Sequence, residues 1–104
     1  MKHRFSTDPM GSEETESKLY EAILALRTAD EAKQFFKDLC TPTELQAMAD
    51  RWSVIGLIQQ GISYRDIAEQ TGVSVTTIGR VARCFLIGTG GYRLIVERLQ
   101  KKRV

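Results

Sequence analysis

SYRDIAEQTGVSVTTIGRVAR, residues 63–83, decides the fold. Ser63 and Ser74 each stand just before a short run with apolar residues at helical spacing. A serine there can accept a first-turn amide and start a helix. The spacing predicts one helix over about Tyr64–Thr71 and a second over about Val75–Phe85. Gly72 lies between them, where a sharp turn needs a positive φ that glycine adopts cheaply. Ala68 falls on the inward side of the first helix, and a larger side chain would hold the second helix away. Val73 plugs the angle, and Ile78 and Val81 face inward opposite Ile67. Small and branched residues at this spacing let two helices cross steeply, as in a helix-turn-helix over about 63–85.

The remaining positions of this stretch face outward, and their chemistry suits a DNA duplex. Val75, Thr76 and Thr77 occupy the first turn of the second helix, where hydroxyls and methyls can meet base edges in a major groove. Ser74 and the exposed amides at that positive helix end suit a phosphate. Gly79 removes a side chain where close approach is needed. Arg80 and Arg83 lie one turn apart and can reach phosphates. Tyr64 and Arg65 open the first helix, and Arg65 can reach a phosphate or a guanine edge. The expected partner is double-stranded DNA. Some proteins use such a fold to bind other proteins, so a helical adaptor without DNA binding is the competing reading.

Upstream, Thr41-Pro42-Thr43-Glu44 combines a capping hydroxyl, a proline at the first helical position and a glutamate at the third. The long helix that follows carries Leu45, Met48, Trp52, Ile55 and Ile58, and stops at Gly61. Before it, a helix is predicted from Ser17, with Leu19, Tyr20, Ile23, Leu24 and Leu26 on its apolar side. Thr28 and Glu31 form a capping box for a further helix whose buried side is Phe35, Phe36 and Leu39. Downstream, Gly88, Gly90 and Gly91 make a loop, and a last helix over about Tyr92–Lys101 carries Leu94, Ile95 and Leu99. No strand pattern occurs, so the expected class is all-α. Residues 1–12 read as a disordered leader and 13–104 as one domain.

The composition fits this reading. The chain has 104 residues, 42% of them hydrophobic and 27% charged, which suits one small globular domain. No apolar run approaches the length of a membrane span. No secretory signal is evident, and Cys40 and Cys84 are too far apart for a CxxC pair; a reducing cytoplasm is expected, with both cysteines as small buried hydrophobes. The single histidine, His3, leaves little room for histidine catalysis or a metal site. No nucleophile–base pair stands out, and Gly88-Thr89-Gly90-Gly91 lacks the lysine of a phosphate loop. An enzyme, a cofactor and a metal are therefore not expected. Residues 1–61 carry seven Lys/Arg and ten Asp/Glu, a net −3, whereas residues 62–104 carry eight and three, a net +5. That asymmetry fits either a polyanion-facing surface or solvated faces of no special role. The Lys101-Lys102-Arg103 tail adds at most weak phosphate attraction.

Three stretches, FFKDLCTPTELQAMADRW, GISYRDIAEQTGVSVTTIGRVARCF and GYRLIVERL, keep the order and spacing of one family. Over roughly two-thirds of its length the chain resembles the Trp repressor superfamily, and most closely its TrpR-related YerC/YecD-type branch. The resemblance implies an all-helical, intertwined bacterial homodimer, in which the first helices of both subunits share a core and two helix-turn-helix heads project. It implies a DNA-binding transcriptional regulator, most simply a repressor. In that family two arginines sandwich the indole of the corepressor, and the matching positions here are Arg51 and Arg80, with Thr41 as a pocket wall. Val81 stands in place of a glycine beside the indole, and Cys84 in place of a serine near the amine. Valine fills space the ring needs and cysteine is a poor partner for an ammonium, so tryptophan is not the expected effector. Another small molecule, or a pocket packed shut, is expected instead. Trp52 is expected in the core or the dimer interface, and Glu44 and Asp66 as capping residues.

Overall fold

The computed structural model describes residues 9–103. They form six helices: α1 (Pro9–Leu24), α2 (Ala29–Leu39), α3 (Pro42–Gln59), α4 (Tyr64–Thr71), α5 (Val75–Ile87) and α6 (Gly91–Arg103). Among the described residues there is no strand. The helix expected from Ser17 begins at Pro9, so residues 9–12 of the expected leader are helical and the rest of it lies outside the described residues. The chain divides into two compact units that meet between Thr41 and Pro42.

In the first unit, α1 ends where the Ala25 amide donates to Glu21 and Ala22 and the Leu26 amide donates to Ile23. Tyr20 donates its hydroxyl to the Glu16 carboxylate one turn back. That bond, followed by slight desolvation and the negative charge, holds the Tyr20 pKa above the ordinary tyrosine value. Thr28 caps α2 as expected, its hydroxyl accepting from the Glu31 amide at 3.1 Å. Glu31 reaches one residue further back than a standard box, accepting from the Arg27 amide at 2.8 Å. The expected burial of α2 is not met: Phe35 and Phe36 meet edge to face at 5.4 Å but are only half-buried, and Leu39 is exposed. Leu24 is 83% exposed. Short helices with so many uncovered apolar side chains lack the enclosing surface that a core requires.

The second unit holds the core. Val54 and Ile55 of α3, Ile67 of α4, Val73 of the turn, Ile78 and Val81 of α5, and Val96 of α6 form one cluster. Ile67 and Ile78 are both 0% exposed, and burying such a side chain stabilises the fold by about 1.5–3 kcal/mol. Two glycines set the path around this cluster. At the end of α3, Gly61 has φ 80°; its amide donates to Ile58, and the Ile62 amide donates to Leu57. This is a Schellman closure, and Leu57 and Ile62 both pack on the core. At the end of α4, Gly72 has φ 79° and its amide donates to Ala68 at 2.9 Å.

Trp52, expected in the core or the dimer interface, lies outside the core at 40% exposure and stacks on Tyr92 of α6, ring centroids 6.2 Å apart. On α6 the buried residue is Val96, whereas Leu94, Ile95 and Leu99 are exposed. Tyr92 and Val96, four apart, are the positions on its inward stripe that pack into the cluster. Cys84 is exposed and Cys40 half-buried, so neither is a buried hydrophobe.

A Cβ on Gly72 would touch nothing within 4 Å, so its glycine is required by backbone conformation rather than by space. Gly72→Ala is expected to cost about 1–2 kcal/mol, read by urea unfolding, and Gly72→Asn to cost less because asparagine tolerates the left-handed region. Equal losses for Ala and Asn would contradict that account.

Candidate nucleic-acid interface

The helix-turn-helix is built by local hydrogen bonds on both sides of the turn. Ser63 Oγ accepts from the Asp66 amide at 3.1 Å and starts α4. Thr71 donates its hydroxyl to the Ile67 carbonyl at 2.7 Å and accepts from the Val73 amide at 3.1 Å. The one side chain thus closes α4 and satisfies the amide of the residue that plugs the angle. Ser74 Oγ accepts from the Thr77 amide at 3.1 Å and starts α5.

Helix α5 divides lengthwise. Ile78, Val81 and Ala82 are buried, and Phe85 packs beside the core. On the opposite side Thr76, Arg80, Arg83 and Ile87 are all exposed. Their spacing of four, three and four residues keeps them on one line along the helix. Val75 is exposed at the start of the helix. Gly79 flanks the line, and a Cβ added there would meet nothing within 4 Å. No neighbour in the chain demands that glycine, although glycine inside a helix costs about 1 kcal/mol against alanine.

The first turn of α5 contains no acidic residue, so the partial positive charge of the helix start is left uncompensated. The amides of Val75 and Thr76 have no acceptor within the helix, by the geometry of a helix start. Thr77 is half-buried, and its hydroxyl oxygen accepts from Ser74 Oγ at 3.1 Å, leaving its proton and a second lone pair for a partner. Tyr64 and Arg65 are exposed in the first turn of α4.

The residues matched to a corepressor pocket are distributed differently. Val81 is 2% exposed and taken up by core contacts. Arg51 on α3 is half-buried, whereas Arg80 and Cys84 on α5 are exposed. Thr41 belongs to the first unit. Among the described residues no group of three or more His, Cys, Asp or Glu side chains could hold a metal ion. No described helix is long and apolar enough to cross a membrane.

Sequence reasoning missed Arg93. From the first turn of α6 its Nε donates to the Phe85 carbonyl at 3.1 Å and its Nη2 to the Leu86 carbonyl at 3.2 Å. Its guanidinium carbon lies 5.8 Å from the centroid of the Phe85 ring. The only sequence signal is a basic residue just beyond a glycine-rich helix end. A second feature, a groove between α3 and α6, has a volume of about 610 Å³ and includes Trp52, Gln59, Val96 and Leu99 in its wall.

Comparison with known proteins matches residues 14–100 to the Trp repressor protein family. The uncharacterized protein YerC of Bacillus subtilis (strain 168) is 37% identical over 83 residues, covering 80% of this chain and 80% of that protein. The crystal structure of a TrpR-like protein from Eubacterium eligens ATCC 27750 superposes with a TM-score of 0.79 at 40% identity, covering 84% of this chain and 90% of that one. A Trp repressor candidate from Staphylococcus aureus superposes with a TM-score of 0.78 at 38% identity, covering 83% and 86% of the two chains. The helix order, the glycine turn and these likenesses agree: the chain belongs to the Trp repressor family.

Proposed function

We propose that the protein is a cytoplasmic DNA-binding transcriptional regulator, a repressor, acting as a homodimer through α4 and α5. The observation that carries this reading is the outer line of α5. Thr76, Arg80 and Arg83, with the bare backbone at Gly79, have no part in the core. A helix that needed only to fold would gain from alanine at Gly79. A helix that must lie against a duplex gains from a missing side chain, hydroxyls at its tip and guanidinium groups along its flank. In this role Val75, Thr76 and Thr77 meet base edges, and Arg65, Arg80 and Arg83 meet phosphates, with Tyr64 and Ser74 beside them.

The uncovered apolar surface supports the dimer. Leu24, Leu39, Trp52 and Leu99 are exposed in a single copy, and no residue of α2 is fully buried. A second copy would cover such faces and place two α5 helices about one duplex turn (~34 Å) apart on a pseudo-palindromic site. The core position of Val81 supports an effector other than tryptophan, or none.

Mobility-shift and anisotropy measurements with genomic fragments test the reading. Six arginines in a dimer predict a loss of affinity of about 10³-fold between 50 and 200 mM salt. No binding at low salt would leave the protein-adaptor reading in its place. Sedimentation should give a dimer; a monomer at micromolar concentration would remove the paired-head arrangement.

Two substitutions test the face. Thr77→Glu recreates the Ser-x-x-Glu capping box with Ser74, so the fold should persist while specific binding disappears. Unchanged affinity would place the docking face elsewhere. Gly79→Ala should stabilise the protein by about 0.5–1 kcal/mol in thermal unfolding and weaken operator binding. A variant that is more stable and binds equally well would refute close backbone approach.

A further inference from the structure

We infer that Arg93 is a positioning residue for the DNA-reading helix: it holds the last turn of α5 helical and so keeps Arg83 in line with Thr76 and Arg80. The inference rests on the DNA-binding reading for its functional consequence, but the clamp itself stands on independent geometry.

The end of α5 has little else to secure it. The last four carbonyls of a helix lack intrahelical partners. Here the Gly88 amide takes the Cys84 carbonyl at 2.9 Å, and Arg93 takes the next two, Phe85 and Leu86. Packing against the core stops at Phe85, because Leu86 and Ile87 are both exposed, Ile87 at 74%. The chain passes from α5 through Gly88-Thr89-Gly90 to Gly91 at the start of α6, with Gly90 at φ 98°. Three glycines in four residues supply no stiffness of their own. A Cβ at Gly88 would collide with the Cys84 carbonyl oxygen, so the chain passes tightly against the helix end before it turns.

The chemistry of the clamp suits its place. A planar guanidinium can donate in parallel to two carbonyls, and its positive charge faces the negative end of the helix. The ring of Phe85 lies within cation–π range of it. Lysine cannot donate in this forked geometry. With Nε and Nη2 each donating to a carbonyl, Arg93 differs from Arg80 and Arg83, whose guanidinium groups have no such partners among the described residues. Arg83 sits two and three residues before the clamped carbonyls, and fraying of that end would release it from the line.

Amide hydrogen exchange and duplex binding on the full chain test the proposal with Arg93→Ala, Arg93→Lys and an Arg83→Ala/Arg93→Ala pair. Arg93→Ala should speed exchange at Leu86, Ile87 and Gly88 by about 10-fold or more, leave the amides around Val54 and Ile67 unchanged, and weaken binding several-fold. Arg93→Lys should fall between Ala and the wild type, and it keeps the test open if Arg93→Ala fails to fold. The double variant should lose less affinity than the product of the single losses. Faster exchange throughout α3 and α4 would make Arg93 a general stabilising residue and overturn the proposal, as would unchanged exchange at the end of α5. A multiplicative double loss, with a salt slope reduced by about two in Arg93→Ala, one for each copy in the dimer, would make it a direct phosphate contact instead. If the wild type binds no duplex, the functional reading fails, while the exchange measurements still decide whether the clamp exists.

Discussion

The left-handed backbone at Gly72 is the constraint on which the rest depends. With φ 79° it reverses the chain immediately after the Ala68–Gly72 hydrogen bond and brings Val73 down onto the core. That reversal lets Ile78 and Val81 meet Ile67 in one cluster with Val54 and Ile55 of α3. If the turn opened, α5 would lose its buried side, and the exposed side would have no fixed direction. Thr71 supports the same point through its side chain, bonding to a carbonyl before the turn and an amide after it. The turn is held by short-range bonds and by burial together, so local and tertiary contacts fix the same geometry.

Burial on one side of α5 frees the other. The inner residues Ile78, Val81 and Ala82 supply the packing, so Thr76, Arg80 and Arg83 need not. The helix start is served by Ser74, and the helix end by the Gly88 amide and Arg93. A helix secured at its ends and along one side can present polar groups with few rotational choices, which lowers the entropy lost on meeting a rigid partner.

The sequence made the local grammar of this fold readable. Ser63, Gly72, Ser74 and Gly61 act through neighbours within a few residues, so residue type and spacing suffice to identify their roles. The inward positions Ile67, Ile78 and Val81 were legible because the helices there are short and their two faces differ sharply. Elsewhere the same reasoning failed for identifiable reasons. Phe35, Phe36 and Leu39 are as apolar as any core residue, yet a small unit cannot enclose every large side chain it carries. Val96 was overlooked in favour of larger neighbours, although its spacing from Tyr92 marks the inward stripe. Cys84 falls between the two faces of α5, where residue type predicts nothing about exposure. Arg93 was invisible because its partners are backbone carbonyls on another helix, and no side-chain pattern records them. The early start of α1 at Pro9 was missed because a polar stretch without periodicity carries no helix signal.

The open ground around Gly79 has an evolutionary corollary. Because no described residue comes within 4 Å of a Cβ added there, descendants of this sequence can place a new side chain at that position without first repairing the interior. Substitution at Gly79, and at its exposed neighbours Thr76 and Arg83, leaves the scaffold intact and changes only what an encountering surface would feel. Relatives with a superposable backbone are therefore free to diverge on this face at little cost to the fold, and similarity of shape among them is a poor guide to what that face meets.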